Sequence, residues 1–160
     1  MQDAIQVYFN GEQQESLLFI AVGLLAIGVS AWLWWSRHRL RAMAYPLVAV
    51  ALIQLVVGST VYLRTDAQVL LLRAQAQAAP AVFKAEETRR MQLVVRNFHL
   101  YEGIEIALLT LGVLGLLLRG SNPTASGVAL GLIVQPALMF SLDLAAQARA
   151  DLYLRALGSF

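Results

Sequence analysis

Residues 97–120, NFHLYEGIEIALLTLGVLGLLLRG, combine an apolar stretch typical of a membrane helix with ionisable side chains at its start. The uninterrupted apolar run, Ile106 to Leu118, covers thirteen residues, or about 20 Å of α-helix at ~1.5 Å per residue. A hydrocarbon core is about 30 Å thick, so this run cannot cross it alone. The membrane span must therefore include Glu105 and Glu102, which lie about 20 Å and 25 Å from Arg119 along the helix axis.

The composition places the whole chain in a membrane. Of 160 residues, 59% are hydrophobic and 14% are charged, which is too apolar for an ordinary soluble domain. The absence of cysteine excludes disulfides, thiol nucleophiles and cysteine-ligated metal sites. The arginines flank apolar segments, so membrane lipids are the predicted partner and nucleic acid is not. The first fifteen residues carry no positive charge, which argues against a cleavable signal peptide.

Four segments are long enough, or nearly so, to span a bilayer: 17–35, 43–64, 98–118 and 125–143. The linker 65–97 is rich in strong helix formers, which predicts two helical extensions broken at Pro80. The fourth helix is predicted to continue over 144–157. The chain is therefore predicted to be one transmembrane domain of the all-α class, a four-helix membrane bundle whose helices 2, 3 and 4 extend beyond the membrane on one side.

Helix lengths place polar side chains in one layer near the extended side. Measured from the far end of each span, Ser59 lies at about 24 Å, Asp143 at about 27 Å and Arg64 at about 31 Å. Gln54 and Gln135 lie at about 15 Å, close to the midplane. These positions predict a polar cleft that opens toward the extensions. The candidate residues of a ligand site or ion pathway are Glu102, Glu105, Asp143, Arg64, His99, Gln54, Gln135 and Ser59.

The polar layer has two interpretations. In the first, three arginines neutralise three carboxylates and lock the helices together: Arg64, Arg96 and Arg149 with Glu102, Glu105 and Asp143. In the second, the layer binds a proton, a cation or a polar ligand. Both interpretations follow from one physical fact. An ionised group in lipid costs on the order of several kcal/mol unless it is paired or hydrated.

Signals for metal binding and catalysis are weak. His99, Glu102 and Glu105 recur at i, i+3 and i+6, so two of the three can reach one metal ion. The paired Glu-x-x-His pattern of carboxylate di-metal bundles is absent from the sequence, so neither a metal nor a cofactor is predicted. The sequence also lacks Ser-His-Asp spacing and a nucleotide fingerprint. It therefore favours a protein that is not an enzyme, and no catalytic residue is assigned.

Three functions remain open. The first is a non-catalytic membrane binding or accessory protein, whose extensions 65–97 and 144–157 contact a protein partner. The second is an oligomeric ion or proton transporter or channel that uses Glu102, Glu105 and Asp143. The third is a lipid-modifying membrane enzyme. Gly127-x-x-x-Gly131 is compatible with a homo-oligomer, but it suits helix packing within one chain equally well.

The charges give conflicting signals on orientation in a membrane, which is predicted to be a bacterial-type inner or plasma membrane. All ten acidic residues lie on the side of the extensions and both termini. Of the twelve Lys and Arg residues, eight lie there too, and the other four are Arg37, Arg39, Arg41 and Arg119. The rule that cytoplasmic loops are rich in Lys and Arg therefore opposes the acidic asymmetry. We favour termini outside, because residues 37–41 directly follow the first span and the linker arginines have acidic neighbours.

This orientation predicts the labelling of single cysteines, which the cysteine-free chain makes unambiguous. In whole cells, we expect Ala79→Cys to react with a membrane-impermeant maleimide. Ser36→Cys should react only after the membrane is permeabilised. The opposite pattern would place the termini in the cytoplasm.

Overall fold

The computed structural model describes residues 2–159 and consists of four long helices joined by short connections. The helices are α1 (Gln2–Trp35), α2 (Ala44–Ala78), α3 (Pro80–Leu118) and α4 (Pro123–Gly158), with a single 3-10 turn at Arg41–Met43 before α2. All four helices are long and apolar enough to cross a membrane. The predicted all-α four-helix membrane bundle is confirmed.

Local chemistry explains two of the helix boundaries. At the α2–α3 junction Ala79 has non-helical backbone angles (φ −147°, ψ 74°), and Pro80 occupies the first turn of α3, where its missing N–H costs no hydrogen bond. Before α4, the Asn122 side chain accepts hydrogen bonds from the N–H groups of Thr124 (2.9 Å) and Ala125 (3.3 Å). Such a cap satisfies backbone donors that have no partner within the helix.

Helix α1 begins much earlier than the first predicted span. The sequence predicts extensions on helices 2, 3 and 4, and the structure adds a fourth extension at the start of α1. Ile5, Tyr8 and Phe9 recur at i, i+3 and i+4, and all three are buried. Packing against the other helices therefore orders residues 2–16. The composition of this segment does not predict a membrane span.

The bundle is built from two tightly packed pairs. Helix α1 packs chiefly against α2, and α3 chiefly against α4, while α4 also contacts α1 and α2. Small residues permit the closest approach. A Cβ added at Gly131 would lie 2.9 Å from the carbonyl oxygen of Met43 and 2.4 Å from Pro46 Cγ. Gly127 lies equally close to the 3-10 turn, so the Gly-x-x-x-Gly face is used for packing within the chain.

The helix extensions share a hydrophobic core of their own. We call the part formed by residues 2–16, 65–97 and 144–158 the cap. Its buried cluster draws on all four helices: Ile5, Tyr8, Phe9, Leu72, Phe83, Met91, Ala150, Tyr153 and Leu157. The cap therefore holds the helices together by the burial of apolar side chains, as in a soluble bundle.

The glycine contacts predict a selective loss of stability. We expect Gly131→Ala to destabilise the bundle by roughly 1–3 kcal/mol, because the new methyl group would overlap Pro46 and the Met43 carbonyl. Gly28→Ala is the matched control, since a Cβ there has no heavy atom within 4 Å. Thermal loss of helicity in detergent measures both. Equal midpoints for the two variants would contradict the close packing at Gly131.

Candidate functional site

The carboxyl groups of Glu105 and Asp143 face each other between α3 and α4. Both residues are buried, with 5% and 6% of their surface exposed, and their side chains are close neighbours. An ionised carboxylate only accepts hydrogen bonds, so a bond between two carboxyls requires a proton on one of them. Within residues 2–159, Glu105 Oε2 is buried with no hydrogen-bond partner. Neither residue forms an ion pair with a described basic side chain.

A line of polar groups leads from this pair to the surface. Glu102, one turn before Glu105 on α3, places Oε2 3.3 Å from His99 Nδ1. The His99 side chain is 62% exposed and that of Glu102 17%. The second oxygen of Glu102, Oε1, is buried without a partner among the described residues. His99 Nδ1 also lies 3.3 Å from Gln147 Nε2 on α4. His99 therefore joins the two helices at the exposed end of the carboxyl cluster formed by Glu102, Glu105 and Asp143.

Gln54 and Gln135 meet deeper in the bundle. Gln135 Nε2 donates a hydrogen bond to Gln54 Oε1, and at most 1% of either residue is exposed. The rise per residue had placed both amides at the same depth, and the structure brings them together. A buried amide must find a hydrogen-bond partner in a dry interior, so each glutamine fixes the other. This bond ties α2 to α4 near the middle of the spans.

The arginines do not pair as the first interpretation of the layer expected. Arg149 forms a two-pronged ion pair with Glu15 on α1, and its Nη2 lies 2.6 Å from Glu15 Oε2. Arg64 lies 3.7 Å from Glu12, also on α1. Arg96 forms no ion pair within residues 2–159. The pairing of Arg64, Arg96 and Arg149 with Glu102, Glu105 and Asp143 is therefore wrong, because the early start of α1 supplies two competing carboxylates.

Gly11 makes room for the Arg149 ion pair. A Cβ at Gly11 would lie 2.6 Å from Arg149 Cδ, so any larger residue would force the arginine side chain to shift from its position across α1. The guanidinium carbon also lies 5.5 Å from the centre of the Tyr8 ring, within the range of a cation–π contact. Tyr8, Gly11 and Glu15 thus form one face of α1 that holds Arg149.

A second charged group lies inside the cap. Arg90 Nε and Nη2 each donate a 2.7 Å hydrogen bond to Glu87, and the Tyr153 hydroxyl donates one of 3.1 Å to the same carboxylate. The i,i+3 spacing of Glu87 and Arg90 favours an ion pair along one helix face, and in this pair Glu87 is 2% exposed. Burial raises the pKa of Tyr153, so its hydroxyl keeps the proton that it donates. Burial also raises the pKa of Glu12, against the opposing effect of Arg64.

Two surface grooves lie away from the carboxyl cluster. One, of about 560 Å³, follows the outer face of α1 from Ala21 to Trp32. The other, of about 250 Å³, lies between α1 and α2 in the cap and includes Gln6, Gln13 and Asp66. Neither is lined by a residue of the predicted cleft. Ser59 is half-buried, Arg64 is half-exposed, and the two buried glutamines fill the floor of the region with their mutual hydrogen bond.

The metal-binding interpretation was tested against the described geometry. Among residues 2–159, no group of three or more His, Asp or Glu side chains is arranged to hold a metal ion. His99, Glu102 and Glu105 share a helix but do not converge on one point. The comparisons with protein families, with curated proteins and with solved structures find no match for this chain. The carboxyl cluster is therefore the feature of the structure that bears most directly on function.

The Arg149–Glu15 ion pair predicts a large loss of stability when Arg149 is replaced, and a second substitution at Glu15 should restore most of it. We expect Arg149→Met to destabilise the protein by roughly 3 kcal/mol, because it leaves Glu15 partly buried without its partner. The double variant Arg149→Met, Glu15→Leu should recover most of that loss, since it replaces the pair with apolar side chains. Chemical unfolding in detergent measures both.

The control is Arg155→Met, on the exposed face of the same helix. It should change stability by no more than about 0.5 kcal/mol. An Arg149→Met variant as stable as this control would show that the pair does not hold α1 to α4.

Proposed function

We propose that the chain is a non-catalytic membrane binding protein that takes up a proton at the carboxyl cluster of Glu102, Glu105 and Asp143. The observation that supports this most strongly is the burial of Glu105 and Asp143 side by side without a basic partner. Two adjacent carboxylates in a low-dielectric site cannot both remain ionised. A positive charge must therefore accompany the pair, and a bound proton supplies it.

The balance of charge in the layer supports the same conclusion. Two guanidiniums, those of Arg64 and Arg149, are bound to Glu12 and Glu15. The carboxyl cluster is thus left without a fixed positive partner among the described residues. Ionisable groups at membrane depth that lack a structural counter-ion are commonly part of an ion or proton site. We therefore prefer the binding interpretation of the layer to the interpretation in which it only holds the helices together.

The approach to the site is from the cap. His99 and Glu102 provide the exposed end, and every acidic residue of the chain lies on this side of the midplane glutamines. Helices α3 and α4 continue without a break from the carboxyl pair into the cap core, where Met91 and Tyr153 are buried. Occupation of the site is in this way linked to the shape of the cap. We propose that a protein partner recognises the shape of the cap by binding to residues 65–97 and 144–157.

A proton or ion transporter is the second candidate. The sequence of polar groups from His99 through Glu102 to Glu105 and Asp143 favours it, because a transported proton needs such a relay. Beyond the Gln54–Gln135 hydrogen bond, however, the spans contain no further acidic residue. A single chain therefore offers a relay that enters the membrane from one side only.

The binding proposal predicts an infrared signature. In nanodiscs at neutral pH, we expect a carbonyl band from a protonated buried carboxyl that shifts in D₂O. Glu105→Gln and Asp143→Asn should each remove the band, since an amide gives the remaining carboxylate a neutral donor. Glu86→Gln is the control, because Glu86 is exposed.

Two results decide between the candidates. A band that survives in both Glu105→Gln and Asp143→Asn, or one that is missing from the wild type, would overturn the binding proposal. Reconstituted vesicles with a pH gradient test transport. Proton flux that depends on Glu105 and Asp143 would favour the transporter, whereas an intact band without flux favours the binding protein.

A further inference from the structure

His99 Nδ1 has two partners of opposite character at the same distance. Glu102 Oε2, on the same helix, is a hydrogen-bond acceptor 3.3 Å away. Gln147 Nε2, on α4, is a hydrogen-bond donor and also lies 3.3 Å away. The imidazole therefore stands between a contact within α3 and a contact that joins α3 to α4.

These two hydrogen bonds exclude each other. An imidazole nitrogen carries either a proton, which it donates, or a lone pair, which accepts. With a lone pair, Nδ1 accepts a hydrogen bond from the Gln147 amide and has no proton to donate to the Glu102 carboxylate. With a proton, Nδ1 donates to Glu102 and the Gln147 amide loses its acceptor. The position of one proton thus selects which helix His99 is bound to.

We propose that His99 is a proton-dependent latch between α3 and α4 that controls access to the Glu105–Asp143 carboxyl pair. This latch would regulate the proposed binding function at the carboxyl cluster, and the proposal rests on that function. Gln147 lies one helical turn beyond Asp143 on α4, so the α3–α4 bond spans the mouth of the carboxyl cluster. Unprotonated Nδ1 holds the mouth closed, and protonated Nδ1 opens it.

The same geometry gives the latch a direction. The exposed imidazole takes a proton from water and donates its Nδ1–H to the carboxylate of Glu102. Transfer of that proton breaks the Nδ1–H bond, forms the O–H bond of Glu102 and returns a lone pair to Nδ1. His99 then accepts from Gln147 again. The latch closes behind the proton, which is left beside Glu105.

Other charges near the latch are shared among the helices. On α3, the neighbouring ionisable residues are Arg96, Glu102 and Glu105, and on α4 they are Asp143 and Asp151. Glu15 of α1, held by Arg149, acts on Asp143 from the opposite side, and Arg64 of α2 is bound to Glu12. Glu102 is the one described carboxylate with an oxygen at hydrogen-bonding distance from His99. It is therefore the acceptor of the proton in this proposal.

The test is the ¹⁵N NMR spectrum of the full chain in nanodiscs, labelled at histidine. The chain has two histidines, and His38 is an internal reference, because its Nδ1 accepts a hydrogen bond from the N–H of Leu40 (3.2 Å). We expect His99 to show an unprotonated Nδ1 at alkaline pH and a protonated Nδ1 at acidic pH. Glu102→Gln replaces the charged acceptor of the Nδ1–H group with a neutral amide, so the hydrogen-bonded Nδ1–H signal at acidic pH should weaken.

Two substitutions at Gln147 test the latch, one by removing the hydrogen-bond donor and the other by replacing it with an acceptor. Gln147→Leu removes the donor, so the share of the unprotonated-Nδ1 tautomer at alkaline pH should fall roughly 2-fold to 10-fold. Gln147→Glu offers an acceptor and should favour protonated Nδ1 across the titration. In Gln147→Leu, deuterium should also exchange faster into the buried-carboxyl infrared band. His38 signals that match the wild type show that each variant is folded.

The latch is overturned if His99 Nδ1 stays protonated at every pH, or if both Gln147 variants keep the wild-type tautomer ratio. Either result, together with an intact infrared band, would remove the latch and leave the proposed function standing. A tautomer change that responds to Gln147 in a protein without the infrared band would support the switch at His99 and overturn proton binding at Glu105 and Asp143. The two proposals therefore fail separately.

Discussion

The burial of two carboxyl groups without a fixed counter-ion is the constraint on which the rest of the structure depends. The apolar run of α3 is about 20 Å long, so a core of about 30 Å draws Glu105 into the membrane. Helix α4 brings Asp143 to the same place, and neither carboxylate pairs with a described arginine. No described basic side chain neutralises this buried pair.

Helix α1 decides how the positive charges are distributed. Its first turns carry Glu12 and Glu15 into the polar layer, where they bind Arg64 and Arg149. Because a planar guanidinium binds a carboxylate with two parallel hydrogen bonds, the Glu15–Arg149 pair is specific in geometry as well as in charge. Gly11 supports that geometry by leaving space for the arginine. The carboxyl pair of α3 and α4 is left without a counter-ion as a direct result.

The relative level of two side chains along the bundle axis could be predicted from the sequence, whereas rotation about the helix axes could not. Rise per residue placed Gln54 and Gln135 at one level, and they form a hydrogen bond. The partner of an arginine depends on which way each helix faces, and that is set by packing between distant parts of the chain. The helical start of α1 was missed for a related reason, since its order comes from tertiary contacts. The His99–Gln147 contact joins residues 48 positions apart, and no local pattern indicates it.

The cap explains how the bundle can tolerate an unneutralised pair. Association of helices within lipid gains little from the hydrophobic effect, because the surrounding acyl chains are as apolar as the helices. The cap adds a buried apolar cluster to which all four helices contribute. Met91 and Tyr153, on α3 and α4, belong to that cluster and fix the two helices on the cap side of the carboxyl pair. The apolar contacts of the cap thus hold α3 and α4 together next to a pair that supplies no ion pair between the helices.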